Sequence, residues 1–361
     1  MKAIIKKTAG EGGLFLEDIP IPAYGDDQVL VKVKKTAICG TDVHIYNWDA
    51  WAKSTIKPPL VIGHEFVGEV CETGKNVTNI KPGQIVVGEG HIVCGKCRHC
   101  ITGFQHLCRQ TVGKGVNIQG VFSEYVVFPA GNLWVCDPNI SHDILSIMDP
   151  LGNAAHTALS FNVLGEDVLI TGAGPIGLMA IPIIRRAGAR HIVVTDVNPM
   201  RLKMAKQLGA TTAVDVRTET LENVMKDLKL DEGFDVGLEM SGNASAFGDM
   251  INVMANGGKI AILGILQPDT NIDWGKVIFN SLTLKGIYGR QMYDTWYRLT
   301  SLLQTGLAEE IKMIITHHFD YRDFQKGFDT MRQGESAKVI LNWEGRLQEK
   351  IELEKEMQAR L

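Results

Sequence analysis

Net positive charge is missing from this sequence: 37 Lys and Arg stand against 41 Asp and Glu, a formal charge of −4. Without a basic field to neutralise phosphates, nucleic acid is not an expected partner. Long apolar runs are missing as well. The most apolar stretch, Ile176 to Ile184, is too short to cross a bilayer and contains Pro182, so no membrane span is expected. The opening Met1-Lys2-Ala3-Ile4-Ile5-Lys6-Lys7 interrupts a short apolar pair with charge and lacks the core of a secretory signal. No internal repeat or low-complexity tract occurs, which leaves ordinary globular domains. A disulfide framework is also disfavoured: there are 7 cysteines, an odd number, and four of them crowd into one short segment. That usage suits a reducing compartment and metal ligation, so the expected location is the cytoplasm.

At 361 residues the chain is too long for one ordinary core, and two domains are expected. The first 150 or so residues read as mostly β, with strand-like runs at Lys2–Lys6, Gln28–Ile38, Glu65–Cys71 and Gln84–Val87 between Pro and Gly punctuation. From about residue 154 strand and helix alternate, which implies a parallel, doubly wound sheet of about six strands. The predicted strands include His191–Thr195, Ala213–Val216 and Phe234–Glu239, and a helix after the last of these is expected to end near Gly257-Gly258. Pro182 should kink the first helix of this region. After Ile287 the chain is expected to return to the first domain through a helix at Tyr293–Gln304, a strand near Met313–Thr316, a helix at Tyr321–Arg332 and a strand at Lys338–Leu341.

Three groups of residues carry chemistry. Cys39-Gly40-Thr41-Asp42-Val43-His44 and, about two dozen residues later, Gly63-His64-Glu65 offer a thiolate, an imidazole and a carboxylate from separated loops. Together they make a three-ligand zinc site with a fourth position left for water or substrate. Cys94, Cys97, Cys100 and Cys108 have the density of a closed, tetrahedral structural zinc site. A ferredoxin-type cluster would space its last cysteine by three and follow it with Pro, whereas here the last gap is seven and Arg109 follows. The third group is Gly172-Ala173-Gly174-Pro175-Ile176-Gly177, set between a strand and a helix, with Asp196 at the end of the next strand. That placement is a dinucleotide signal: Gly172 permits the turn, Gly174 lets the pyrophosphate approach backbone, and Gly177 lets helix meet sheet. The pyrophosphate then meets free N–H groups at the helix N-terminus. Zinc and a nicotinamide together define a dehydrogenase.

Gly63-His64-Glu65-Phe66-Val67-Gly68 followed by Gly74, the cysteine lobe and the glycine fingerprint stand in the order of the zinc-dependent medium-chain alcohol dehydrogenases, which the chain resembles over residues 1–343. The resemblance implies an α/β fold with a GroES-like β-barrel catalytic domain and a Rossmann doubly wound parallel-sheet domain. Its boundaries would be 1–153 with a zinc lobe at 88–115, completed by 293–343; 154–292 for the NAD-binding domain; and a charged tail at 344–361. It makes Cys39, His64 and Glu65 the catalytic zinc ligands, Thr41 and His44 a proton relay, and Asp149 a neighbour of the metal. Ile176, Asp196, Arg201, Leu263, Gly264, Ile265, Ile287 and Tyr288 would line NAD alongside the three glycines. Two zinc ions per subunit and a homotetramer are further implications.

Segments such as Gly88-Glu89-Gly90-His91, Asp149-Pro150-Leu151-Gly152-Asn153 and Gly286-Ile287-Tyr288-Gly289-Arg290 resemble those members that oxidise the secondary hydroxyl of L-threonine to 2-amino-3-oxobutanoate. That product implies a 2-amino-3-oxobutanoate CoA ligase as a downstream partner. The alternative within the family is a 2,3-butanediol or polyol dehydrogenase. His91 is the candidate for orienting a charged substrate.

Overall fold

The computed structural model describes residues 1–344; of the charged tail expected at 344–361, all but Glu344 lies outside the described residues. Two compact units emerge among the described residues: Met1–Asp149 joined by residues 315–344, and Pro150–Ile314. The second unit therefore keeps residues 293 to 314, which the sequence had assigned to the first. The helix Asp294–Leu302 buries Trp296 and Leu299 within that unit, so an apolar face overrides the apparent change of pattern.

The first unit is built on a mostly antiparallel sheet in the order Leu133–Val135, Ile85–Gly88, Glu65–Thr73, Gln28–Ala37, Lys338–Asn342, Ile315–Asp320, with Tyr125–Pro129 also pairing Gln28–Ala37. Alternating residues such as Val29, Val31 and Val33 turn inward, and Phe66 stacks on Phe128 at 5.2 Å between ring centroids. The chain's last described strand thus closes this unit by lying against a strand three hundred residues earlier.

The second unit carries six parallel strands in the order Thr212–Asp215, His191–Asp196, Asp167–Thr171, Phe234–Glu239, Met254–Ile262, Thr283–Gly286. Counted along the unit this is 3-2-1-4-5-6, whose order reverses beside Asp167–Thr171, where such sheets bind dinucleotides. The helix Pro175–Arg186 carries Pro182 in its interior and continues to Arg186. One local expectation fails here. The helix Ala244–Val253 stops before Gly257, and Met254 already begins the next strand. Among the described residues no helix is long and apolar enough to cross a membrane.

Candidate active site

Cys39 sits at the N-cap of the helix Gly40–Asn47, so Thr41 and His44 belong to a helix and not to a loop. Asp42 fixes the turn, its Oδ2 accepting the Cys39 N–H at 2.9 Å from a fully buried position. Gly63 has φ +86, and a Cβ there would fall on the Phe122 ring, so only glycine can deliver His64 and Glu65 from this side. Glu65 opens the strand Glu65–Thr73 opposite Ala37, two residues from Cys39. In consequence one ligand atom each from Cys39, His64 and Glu65 lies within 4.8 Å of the others.

These groups fit a metal ion. His64 Nδ1 and Glu65 Oε1 are buried with no hydrogen-bond partner among the described residues, a costly condition for groups out of water. Burial works against a charged His64, yet the Cys39 sulfur, Asp42 and Asp149 outweigh it and raise its pKa well above the ordinary value. The neighbourhood is thus anionic and favours a cation. Asp149 is buried and close enough to act on both His64 and Glu65. Thr41 Oγ1 lies 3.7 Å from Cys39 Sγ. His44, one turn on, is exposed, with Nδ1 held 2.5 Å from Asp49 Oδ2.

Lys338 was not foreseen. Its ammonium lies 2.5 Å from Glu65 Oε2 and donates to the Ile38 carbonyl at 3.1 Å, with both side chains almost wholly out of solvent. Burial lowers the Lys338 pKa, but Glu65 and Cys39 more than reverse that, and the net direction is up. No spacing signal links a lysine to a partner 273 residues away.

The four cysteines of the lobe gather separately. Cys97 and Cys100 sulfurs are 3.5 Å apart, Cys94 and Cys108 3.6 Å, and Cys94 and Cys100 4.0 Å. Tetrahedral zinc with bonds near 2.3 Å spaces its sulfurs by roughly 3.8 Å, so this set also fits. N–H groups of Cys94 and Gln110 point at the Cys108 sulfur and pull its pKa down to about 6, favouring the thiolate a metal requires. His91 lies at the base of the lobe, in the strand His91–Ile92 that pairs with Val112–Gly113. Its Nδ1 is 2.8 Å from the buried Glu89 Oε1, and its neighbour Gly90 packs on His64.

In the second unit, Gly172 adopts φ +90, and a Cβ on Gly177 would strike the Gly172 carbonyl. A Cβ on Gly174 would meet nothing within 4 Å, so backbone at the helix N-terminus is open to an anion. Beside it lies a cavity of ≈ 320 Å³ whose lining includes Gly172, Asp196, Val197, Val216, Ser241 and Asn243. Asp196 is held there by the N–H groups of Ala173 at 2.7 Å, Val197 at 2.7 Å and Asn198 at 2.8 Å, and its oxygens keep further acceptor capacity. Buried Glu239, also missed in the sequence, accepts the Ser241 and Gly242 N–H groups at 2.9 Å each and shapes this rim. Ile176 follows in the first turn of the helix. Arg201 does not line the cavity; it lies in the first turn of Pro199–Gln207, where its N–H donates to Asn198. Leu263, Gly264 and Ile265 follow the strand Met254–Ile262, and Ile287 and Tyr288 follow Thr283–Gly286, outside that cavity's lining.

The pattern of an alcohol dehydrogenase GroES-like domain matches residues 25–138, and that of a zinc-binding dehydrogenase matches residues 175–305. The chain belongs to the zinc-binding, medium-chain alcohol dehydrogenases. It is 58% identical to an L-threonine 3-dehydrogenase of Shewanella loihica, over 95% of this chain and 100% of that relative. Among solved structures of the family it resembles the alcohol dehydrogenase of Thermus sp. ATN1, with TM-score 0.87 and 27% identity over 95% of this chain and 99% of the other. It also resembles the 2R,3R-butanediol dehydrogenase of Bacillus subtilis, with TM-score 0.85 and 26% identity over 94% and 99% of the two chains.

Proposed function

We propose that this chain oxidises the secondary hydroxyl of L-threonine to 2-amino-3-oxobutanoate with NAD. The observation that carries the reaction type is the convergence of Cys39, His64 and Glu65 in a family whose second unit holds a dinucleotide crevice. Threonine is favoured over butanediol by the far higher identity to the Shewanella relative than to the Bacillus structure.

Cys39, His64 and Glu65 would hold a zinc ion, which would supply Lewis acidity toward the substrate hydroxyl, with NAD as the hydride acceptor. Thr41, beside the Cys39 sulfur, passes the hydroxyl proton outward. His44 stands three residues further on the same helix face and discharges the proton to water. With Nδ1–H donated to Asp49, its Nε2 is left as the accepting nitrogen. Asp149 adds negative charge beside the ligands and so helps retain a dication. Threonine brings an ammonium and a carboxylate beside the reacting carbon, and each needs a polar partner once out of water. His91, fixed by Glu89, is the side chain we assign to orient them.

In the second unit Asp196 would accept bonds from the adenosine ribose, and the half-exposed Val197 and Val216 would give the cavity apolar walls for the purine. The remaining expected contacts, Arg201, Leu263 to Ile265, Ile287 and Tyr288, complete the cofactor's surroundings. Cys94, Cys97, Cys100 and Cys108 would hold a second, structural zinc. Copies of the chain associate through the edge strand Thr283–Gly286 and the neighbouring helix Trp274–Phe279, whose Trp274, Ile278 and Phe279 are largely exposed; a homotetramer is the proposed assembly. Unpaired cysteines support a reducing cytoplasm, and the β-keto acid product is passed to a CoA ligase.

NADH production measured across L-threonine, 2,3-butanediol, sorbitol and simple alcohols tests the assignment. Threonine should give the highest kcat/KM; a higher value for butanediol or sorbitol would move the chain to the alternative branch.

A further inference from the structure

The Cys39, His64 and Glu65 cluster has a cation of its own. Glu65 is fully shielded from solvent, and Lys338 is the basic side chain bonded to it, at 2.5 Å. The same ammonium donates to the carbonyl of Ile38, the residue before Cys39, at 3.1 Å. One group from the last described strand therefore ties together the two segments that supply the thiolate and the carboxylate. It engages Oε2 alone, and Oε1 has no hydrogen-bond partner among the described residues. A compact ammonium with three donors suits this double attachment.

A buried carboxylate left without a counter-charge is strongly destabilising. A bound dication would balance Glu65 from its other oxygen, so the need for Lys338 is greatest when the catalytic metal is away. We propose that Lys338 is a positioning residue that stands in for the metal's charge at Glu65, keeping the ligand set assembled in the zinc-free protein so that zinc enters and leaves without unfolding the barrel. This rests on the reading of Cys39, His64 and Glu65 as a metal site. An ion pair serving only as a cross-link would stabilise both forms alike, and this difference separates the two roles.

The test uses the full chain, either zinc-loaded or treated with a mild chelator that leaves the cysteine-lobe zinc in place, with metal content checked in both forms. Lys338→Met should lower the Tm of the form lacking catalytic zinc by roughly 5–10 °C and that of the loaded form by less than half as much. Zinc should therefore raise the Tm of the variant more than that of the wild type. Lys338→Arg, which keeps the charge, should restore most of the gap. Equal losses in both forms, or no loss in either, would overturn the proposal. Should Lys338→Met not fold in either form, the double variant Glu65→Gln/Lys338→Met decides: removing the anion together with the cation should recover folded zinc-free protein, and no recovery overturns the proposal. If Cys39→Ser retained the full zinc content of the wild type, the metal-site reading itself would fall and this role with it.

Discussion

The first unit holds two candidate metal centres made in opposite ways. Cys94, Cys97, Cys100 and Cys108 come from one short segment, and local turns and backbone N–H groups aim their sulfurs. Cys39, His64 and Glu65 come from a helix N-cap and the start of a strand; Asp42 holds Cys39 from the same helix turn, and Lys338 holds Glu65 from a strand 273 residues further along the chain. A centre that closes its own loop contributes its metal's binding energy to the folding of that loop. A centre assembled by a sheet is held by the sheet, and its remaining coordination position is free for chemistry.

The largest expected effect is at the assembled centre. Cys39→Ser should abolish turnover, a loss of at least about a thousandfold in kcat, and remove about one zinc per subunit while Tm stays close to wild type. Metal analysis, NADH assay and thermal unfolding measure all three. Cys97→Ser should do the reverse first, destabilising its lobe by about 2–5 kcal/mol, seen as early local proteolysis or hydrogen exchange between residues 94 and 108. Equal thermal losses from the two substitutions would erase the distinction between the centres.

A smaller effect belongs to neither centre. Asp196 should make NAD outperform NADP by at least tenfold, about 1.4 kcal/mol, because a 2′-phosphate would face its carboxylate. Cys97→Ser should leave that ratio unchanged. Comparable kcat/KM with both cofactors would show that Asp196 does not set the choice.

The smallest effect is the most discriminating, since His91 stands between the two centres: its strand forms the base of the cysteine lobe, and its neighbour Gly90 packs on His64. His91→Ala should lower kcat/KM for threonine several-fold more than for 2,3-butanediol, on the order of 1 kcal/mol of selective transition-state binding. Proportional loss with both substrates, or loss of zinc, would assign His91 to the metal centres themselves.

Most of the two-part architecture was legible because its signals are local. Strand periodicity marked Lys2–Lys6, Gln28–Ala37 and Phe234–Glu239 almost to the residue, and the glycine spacing placed the turn after Asp167–Thr171. Where local reading failed, tertiary contacts had the larger energy. The Asp294–Leu302 helix follows its buried face into the second unit, and Met254 joins the sheet before its glycines.

The sequence by itself determined which residue types were available and, for the cysteine lobe and the dinucleotide turn, their geometry too, because a few bonds of backbone separate the participating atoms. Only the tertiary structure decided that Lys338 would meet Glu65. That meeting needs Lys338–Asn342 laid beside Gln28–Ala37 and Gln28–Ala37 beside Glu65–Thr73, a register fixed by inward-facing apolar side chains along all three strands.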